Sequence, residues 1–398
     1  MAYSFPAAAA VFAEDVLQKG ALLVVIDNDE FYKADDERYF KVSDTLNALQ
    51  ILANHHRDSL NIPLIAITGT NGKTTTKELV HAVLSSRFNT HATKGNFNNH
   101  IGLPLTLLDM KGDIDVAVIE MGASAENEIE LLCQIAQPNY GLITNIGKAH
   151  LEGFGSLEGV KKAKGELFDY LRENNGKAFV NNDLNYLIEM SEGVYTINYG
   201  KDHLLHTYGK LTENLPYLRV LYDGDNIVNT KMPGDYNFYN IMAAICVGKY
   251  FNVPEDSIRR SLEDYEPNIN RSQIVEYKGA RVLLDAYNAN PSSMKVAIES
   301  FYSQSQNGSR ILILGDMFEL GKDSNSEHKK VLSLLKEKNF ENVALIGEEF
   351  KKASKEFDQF NYFVDYKMLK KWFDSNDWNG FDVFIKGSRA MSLEKLLT

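Results

Sequence analysis

Along most of this chain, short apolar runs alternate with stretches whose apolar residues recur at helical spacing. From about residue 62, the runs Leu64–Thr68, Asp115–Glu120, Tyr140–Asn145 and Lys177–Asn182 read as buried strands. Helical patterns lie between them, at Lys77–Ser86, Glu126–Ile135 and Leu157–Leu171. This alternation predicts a mainly parallel sheet with helices on both faces. From Val194 to Met232 the pattern changes to short strands broken by Gly and Asn turns, which predicts an antiparallel addition. A helix over Asn237–Phe251 closes the block.

Two further blocks flank this one. The first runs to about Asn61, with a helix pattern at Ala10–Lys19, a strand at Ala21–Ile26 and a helix at Asp44–Arg57. The last begins near Pro267. Its strands are expected at Arg281–Ala286, Arg310–Leu314, Asn342–Ile346 and Asp382–Ile385. Its helices are expected at Ser292–Ser303, Ser326–Lys336, Glu349–Glu356 and Ser388–Leu397, making a second doubly wound α/β unit. The fold class is α/β in three units: a small N-terminal α/β domain over residues 1–61, a central parallel-sheet domain over 62–266 and a C-terminal Rossmann-like domain over 267–398.

Bulk properties narrow the function. A formal net charge of −12 argues against a nucleic-acid footprint, which needs a basic face. No apolar run is long enough to span a bilayer, so no membrane insertion is expected. The stretch Met1–Ala10 lacks a basic segment and is a poor secretory leader. Cys133 and Cys246 lie in apolar helical patterns and are expected as free buried thiols. A cytoplasmic protein fits these features, and a monomer is expected.

The chemistry centres on Leu64–Thr76. An apolar strand stops at Gly69, Gly72 precedes Lys73, and Thr74, Thr75 and Thr76 follow. Strand, tight loop and helix in that order aim loop N–H groups and a helix N-terminus at one point, which holds an anion. Gly69, Thr70, Asn71, Gly72, Lys73, Thr74 and Thr75 therefore read as an ATP or GTP phosphate loop. Lys73 reaches the outer phosphates and the Thr74 hydroxyl faces Mg2+. Ile67 stands where the usual loop has its first glycine, so this is a variant.

In open α/β sheets, ligands sit beyond the carboxyl ends of strands. Glu120 ends the second central strand, and His150 follows the third after Asn145 and Gly147. Both are candidate Mg2+ ligands beside a triphosphate. Asn96, Asn98 and Asn99 form an amide-rich loop able to read a polar substrate. Lys164, in a Lys-rich helix, reads on composition alone as a solvated position. In the third block, Asp285–Ser293, Gly315–Gly321 and Lys386–Arg389 again follow strands and give a polar rim. A cleft between that rim and the phosphate loop is the natural small-molecule site.

These segments together resemble the Mur ligase family, from about Ala7 to the C-terminus. The similarity rests on Thr68–Thr74, Gly95-Asn-Phe-Asn-Asn99 with Ile101-Gly-Leu-Pro104, Asp285–Pro291, and Leu314–Gly321 with His328. It implies an ATP-dependent ligase. UDP-MurNAc-tripeptide is activated as an acyl phosphate and joined to D-Ala-D-Ala, yielding a peptidoglycan precursor. The resemblance further implies that Thr74 and Glu120 hold one Mg2+, that His150 serves a second, and that Lys164 is carried as a carbamate. Asn237, Asn240, Arg271 and Asp285 match nucleotide-contacting positions, with Tyr236 standing where the family often has His. Asn288, Asn290, Ser292 and Lys386 fall on the acceptor and peptide side. A Ser-Arg segment that opens the family's first domain is not found, so that domain reads as shortened and its hold on UDP is open. Two other readings stand beside this one. One is a related amide ligase of the folylpolyglutamate synthase or cyanophycin type. The other is a nucleotide-binding protein without ligase activity.

Overall fold

The computed structural model describes residues 2–3, 12–267, 270–304 and 309–398. Three parallel strands, β1 (Ala2–Tyr3), β2 (Val24–Ile26) and β3 (Tyr39–Lys41), form the first sheet. The expected strand at Ala21–Ile26 forms only over its last three residues, and the first helix spans Ala13–Gln18. Ala10 and most of the Met1–Ala10 stretch lie outside the described residues. The sheet's core is small, built on Leu17, Val24, Ile26 and Tyr39.

The central sheet has nine strands: β4 (Leu64–Thr68), β5 (Thr90–Ala92), β6 (Val116–Glu120), β7 (Tyr140–Ile143), β8 (Lys177–Asn181), β9 (Tyr195–Gly200), β10 (Thr207–Glu213), β11 (Arg219–Tyr222) and β12 (Asn226–Asn229). Their order is β12-β11-β10-β9-β8-β7-β4-β6-β5. The chain leaves β4 to one side for β5 and β6, then returns to the other side for β7 and beyond. β4 and β7 therefore flank a topological switch point, where open sheets hold ligands.

The Val194–Met232 expectation needs correction. β9 pairs parallel with β8, and β10 begins parallel to β9 at Thr207 and Tyr208. Only the β10-β11-β12 ladder is antiparallel. The turn-rich pattern marked the hairpins correctly but hid that β9 extends the parallel sheet.

Helices cover both faces, as the alternation predicts. Lys73–Ser85, Phe238–Tyr250 and Glu255–Asp264 bury Leu79, Val83, Ile241, Ile245, Ile258 and Leu262 on one face. Phe238–Tyr250 is apolar around nearly its whole circumference, and it is correspondingly enclosed. The opposite face takes Gly102–Leu108, Glu128–Ala136 and Leu157–Glu173 through Leu103, Leu132, Leu167 and their neighbours. Thr45–Leu60 joins this layer through Ala53. Its buried Arg57 donates from Nε to the Ala136 carbonyl at 3.0 Å, at the end of a helix whose dipole favours a cation. By packing, the second helix of the first block thus sits on the central sheet.

The third sheet holds β13 (Gln273–Tyr277), β14 (Ala280–Asp285), β15 (Arg310–Gly315), β16 (Val343–Ile346), β17 (Asn361–Phe363) and β18 (Asp382–Lys386), in the order β13-β14-β18-β15-β16-β17. All neighbours are parallel except β13 and β14, a hairpin turned by Lys278 and Gly279 with φ of 48° and 78°. Two separate apolar layers, one around Leu312, Leu332 and Phe384 and one around Ile313, Leu369 and Ile385, flank it. The helix expected at Ser388–Leu397 is instead two short 3-10 turns, Arg389–Met391 and Leu393–Leu397. Ser392 between them has φ 49°, which interrupts any continuous helix.

Candidate active site

The phosphate loop leaves β4 and enters the helix Lys73–Ser85, which starts four residues before the apolar pattern alone indicated. Two glycines make the path possible. Gly69 has φ 135°, and a Cβ there would meet the Thr144 hydroxyl at 2.1 Å. Gly72 has φ 80°, and a Cβ would meet Asn240 Oδ1 at 2.6 Å. A side chain at either position meets both backbone strain and a packed neighbour.

The loop is braced from β7. The Thr70 N–H donates to the Asn145 carbonyl at 2.8 Å and the Asn71 N–H to Asn145 Oδ1 at 3.0 Å. Thr144 Oγ1 donates to the Asn71 carbonyl at 2.6 Å. Asn145 was visible only as a polar residue at a strand end and Thr144 only as part of the strand run; the structure makes them the frame of the loop. Lys73 Nζ folds back on the loop, donating to the carbonyls of Gly69 at 2.9 Å and Thr70 at 3.2 Å. Desolvation lowers its pKa, opposed by the Glu120 charge and aided by that of Arg271.

The structure brings Glu120 and Thr74 together. The Thr74 hydroxyl donates to Glu120 Oε2 at 2.7 Å, and both residues are buried. Asn98 Nδ2 holds the other carboxylate oxygen at 2.8 Å. Asn99 instead caps the helix Gly102–Leu108, accepting from the Gly102 N–H at 2.8 Å. Asn96 is exposed and lines the cavity, its amide bonded to nothing else among the described residues.

His150 sits at φ 49° in the left-handed region, and its Nδ1 lies against the carboxylate of Glu319 from the third unit. Lys164 is 2% exposed, so the composition-based reading of a solvated position does not hold. Its Nζ donates to the Ala123 carbonyl at 3.1 Å and lies 5.1 Å from the Phe154 ring centroid. Burial first, and the Lys73 charge second, pull its pKa down to about 7. Near neutral pH a large share of this amine is therefore unprotonated. Lys164 stands behind the cavity wall, while Lys73, Glu120 and His150 line it.

One cavity of about 920 Å³ joins the phosphate loop, the Asn96–Asn99 loop and the third-unit rim. Asn237 and Asn240 form part of its wall. Asn240 Nδ2 donates to Asn237 Oδ1 at 2.9 Å, and Asn240 Oδ1 accepts from Thr76 Oγ1 at 3.0 Å. Tyr236 contributes its hydroxyl, 2.9 Å from Ser272 Oγ.

Third-unit contacts reach the loop directly. Asn290 Nδ2 donates to Asn71 Oδ1 at 2.8 Å, while Asn290 Oδ1 caps its own helix by accepting from the Ser293 N–H at 2.8 Å. Ser292 Oγ accepts from the Lys148 N–H at 2.7 Å. Lys386 Nζ is bound to Asp285 Oδ2 at 2.6 Å and to the Asn288 carbonyl at 3.0 Å. Asn288 is exposed, and Arg271 stacks on Tyr287 with its guanidinium carbon 3.6 Å from the ring centroid. Tyr287, Glu319 and Arg389 line the same cavity and were not singled out as individual residues from the sequence. Their signal was positional, since all three follow strand ends.

Among the described residues, no group of three or more His, Cys, Asp and Glu side chains gathers into a metal cluster. The paired oxygens of Thr74 and Glu120 are nevertheless hard donors at the mouth of an anion-binding loop. That donor chemistry fits a small divalent cation that keeps water and phosphate as its other ligands. Cys133 and Cys246 are free and buried, and burial pushes the Cys246 thiol up to about 12.

Comparison with known proteins follows the same division of the chain. Residues 67–248 match the Mur ligase middle domain, and residues 270–371 match the Mur ligase glutamate ligase domain. The UDP-N-acetylmuramoyl-tripeptide–D-alanyl-D-alanine ligase of Bacillus subtilis is 34% identical over 397 residues, covering 97% of this chain and 86% of the relative. The crystal structure of MurF from Acinetobacter baumannii superposes with a TM-score of 0.88 at 27% identity, covering 98% and 86%. MurF from Thermotoga maritima, solved in complex with ADP, gives 0.87 at 26% identity, covering 99% and 92%. Motifs, three-unit architecture and sequence identity over nearly the full length thus converge: the chain belongs to the Mur ligase family, on the branch of the UDP-N-acetylmuramoyl-tripeptide–D-alanyl-D-alanine ligases.

Proposed function

We propose that this chain uses ATP to join D-Ala-D-Ala to UDP-MurNAc-tripeptide, making the pentapeptide precursor of peptidoglycan. The observation that carries the reading is a single cavity walled on one side by a phosphate loop and on the other by the polar rim of the third unit. The uniform naming of relatives such as the Bacillus subtilis ligase favours this acceptor over those of other amide ligases.

The physical problem is that a carboxylate is a poor electrophile. Transfer of the γ-phosphoryl group to the terminal carboxylate of the tripeptide gives an acyl phosphate with a good leaving group. The amine of D-Ala-D-Ala then attacks the acyl carbon, and phosphate departs as the amide forms. Crowded negative charge must be offset throughout, by the loop N–H groups and by Lys73. Thr74 and Glu120 would hold a Mg2+, with His150 serving a second; such ions neutralise phosphate charge. Asn98 keeps Glu120 oriented. Asn71, Asn237, Asn240, Arg271 and Asp285 are assigned to the nucleotide. Asn96, Asn99, Asn288, Asn290, Ser292 and Lys386 are assigned to the peptide and acceptor side.

Lys164 is assigned a carbamate. An unprotonated amine attacks CO2, forms an N–C bond and releases a proton, replacing a buried cation with an anion. Its pKa of about 7 makes the free amine available. The third unit excludes water from the acyl phosphate, held there by the Asn290–Asn71 and Ser292–Lys148 contacts. Residues 1–61 are assigned to the uridine diphosphate end, 62–266 to ATP and 267–398 to the acceptor. No helix among the described residues is long and apolar enough to cross a membrane, and we assign the protein to the cytoplasm as a monomer.

The test is phosphate release from ATP, Mg2+, UDP-MurNAc-tripeptide and D-Ala-D-Ala. Release that requires every component, with formation of the pentapeptide product, is expected. Release indifferent to the dipeptide, or satisfied by another amine such as glutamate, overturns the reading.

A further inference from the structure

Four Lys and Arg side chains line the cavity among the described residues: Lys73, Arg271, Lys386 and Arg389. Two of these charges are already committed. Lys73 lies on the phosphate loop, and Lys386 is neutralised by Asp285 at 2.6 Å. Arg271 and Arg389 have no ion pair and no side-chain hydrogen bond among the described residues, and Arg271 Nε is buried without a partner. Both instead approach one ring. The Arg271 and Arg389 guanidinium carbons lie 3.6 and 4.9 Å from the Tyr287 centroid.

The fold explains this convergence. Tyr287 follows the carboxyl end of β14 and Arg389 follows that of β18; the two strands run parallel with Asp285 beside Lys386. Arg271 precedes β13, whose first residue Gln273 pairs with Leu284 near the same end of β14. Ser272, beside Arg271, has φ 46° and is tied to the Tyr236 hydroxyl at 2.9 Å, which fixes the approach of Arg271. Two like charges held at one aromatic ring repel each other. They are stabilised together only when anionic groups enter between or beside them.

We propose that Arg389, seated on Tyr287, receives the free carboxylate of the acceptor dipeptide, leaving Arg271 to the phosphate side. The inference rests on the ligase reading above and adds to it the residue that selects an acceptor with a free carboxyl terminus. The geometry sets the scale. Asn290 touches the phosphate loop at 2.8 Å, and Tyr287 is three residues from it, at most about 11 Å along the backbone. An extended dipeptide spans about 7 Å from amine to carboxylate. Arg389 and the loop line the same cavity, so a dipeptide with its carboxylate on Arg389 can direct its amine toward the loop side, where the acyl phosphate forms on the ligase reading. A planar guanidinium stacked on a ring presents its N–H edge to a carboxylate in bidentate fashion. Arg271 lies near enough to Lys73 for its charge to lower that ammonium's pKa.

The experiment uses the full chain and two acceptors, D-Ala-D-Ala and its C-terminal carboxamide. Wild-type turnover with D-Ala-D-Ala is measured first; its absence overturns the ligase reading itself, before any variant is compared. In Arg389→Ala, KM for D-Ala-D-Ala is expected to rise on the order of 10- to 100-fold, the range of one lost charge-assisted hydrogen bond. KM for ATP and for UDP-MurNAc-tripeptide is expected to stay at the wild-type value. The carboxamide is expected to be a poor acceptor for the wild type and equally poor for the variant. Arg389→Lys, which keeps the charge without the planar fork, is expected to recover part of the lost affinity. Equal losses with both acceptors, no loss at all, or a rise in KM for ATP or for the tripeptide substrate would each overturn the proposal.

Discussion

The central and third sheets both present ligand groups beyond their strand ends, yet they do so by different physical means. The central sheet presents backbone. Gly69 and Gly72 let the loop bend into the helix N-terminus, and Thr144 and Asn145 lock that bend from the neighbouring strand, Asn145 taking the Thr70 and Asn71 N–H groups. The third sheet presents side chains. Its rim consists of Asp285 paired to Lys386, Asn290 reaching the loop, and two guanidiniums on Tyr287. A phosphate needs many short donors around one point, which a backbone nest supplies at little entropic cost. On the proposed ligase reading, a peptide acceptor needs spaced charges of defined geometry, which side chains on separate strands would supply. The reactive half of the site is therefore written locally, and the selective half is assembled from distant segments.

The comparison breaks most severely at Lys73. Lys73→Ala removes the only ammonium on the phosphate loop, and turnover is expected to fall by at least about 100-fold, the scale of losing a preorganised charge-stabilising donor. Phosphate release with all substrates present measures this, and retained turnover would refute the role. A backbone change at the same loop tests the other half of the argument. Gly72→Ala forces a Cβ toward Asn240 at a φ of 80° and is expected to abolish nucleotide binding by calorimetry while leaving the far-UV circular dichroism unchanged.

Lys164 separates function from stability. Its pKa falls from 10.5 in the unfolded chain to about 7 in the folded one, so the unfolded state binds more protons between those values. The folding penalty from this amine is thus fully present below about pH 7 and fades as pH rises towards 10.5. Lys164→Met should raise Tm by a few degrees at pH 7, with the advantage shrinking steadily as pH rises from 7 towards 10.5, while ligase activity drops. Thermal melts across that range, under CO2-free conditions so that the free amine is compared, decide it. An unchanged or lowered Tm at pH 7 would contradict the buried-amine account.

The smallest effect is expected at the seam between the units. Asn290→Ala removes a helix cap and the hydrogen bond to Asn71. The cap is worth about 1 kcal/mol of stability by denaturant unfolding. A several-fold rise in KM for ATP should accompany it if the third unit steadies the loop. A loss of stability without that rise would leave Asn290 as a cap alone.

The local half of the site was legible in the sequence because its chemistry depends on neighbours along the chain. A strand, two glycines, Lys73 and Thr74 in register can be read without knowing what packs around them, and Glu120 follows because it ends a strand. Lys164 was not legible from composition. Its environment is set by Phe154, Ala123 and the helix packing that buries it, none of which its Lys-rich neighbourhood announces. The same holds for β9, whose parallel pairing with β8 is a matter of partner choice, and for the C-terminal turns, where a single left-handed residue at Ser392 overrode a helical pattern.

Periodicity and turn chemistry, then, determined the three α/β units, the nucleotide loop and the family pattern, since these rest on interactions between residues close in sequence. Tertiary structure alone decided which charges were spent and which left unpaired. Lys386 meets Asp285 across 101 residues, and Arg271 and Arg389 meet at Tyr287 only because three strand ends lie side by side. Solvent exclusion and charge pairing are properties of the packed chain, and no window of sequence contains them.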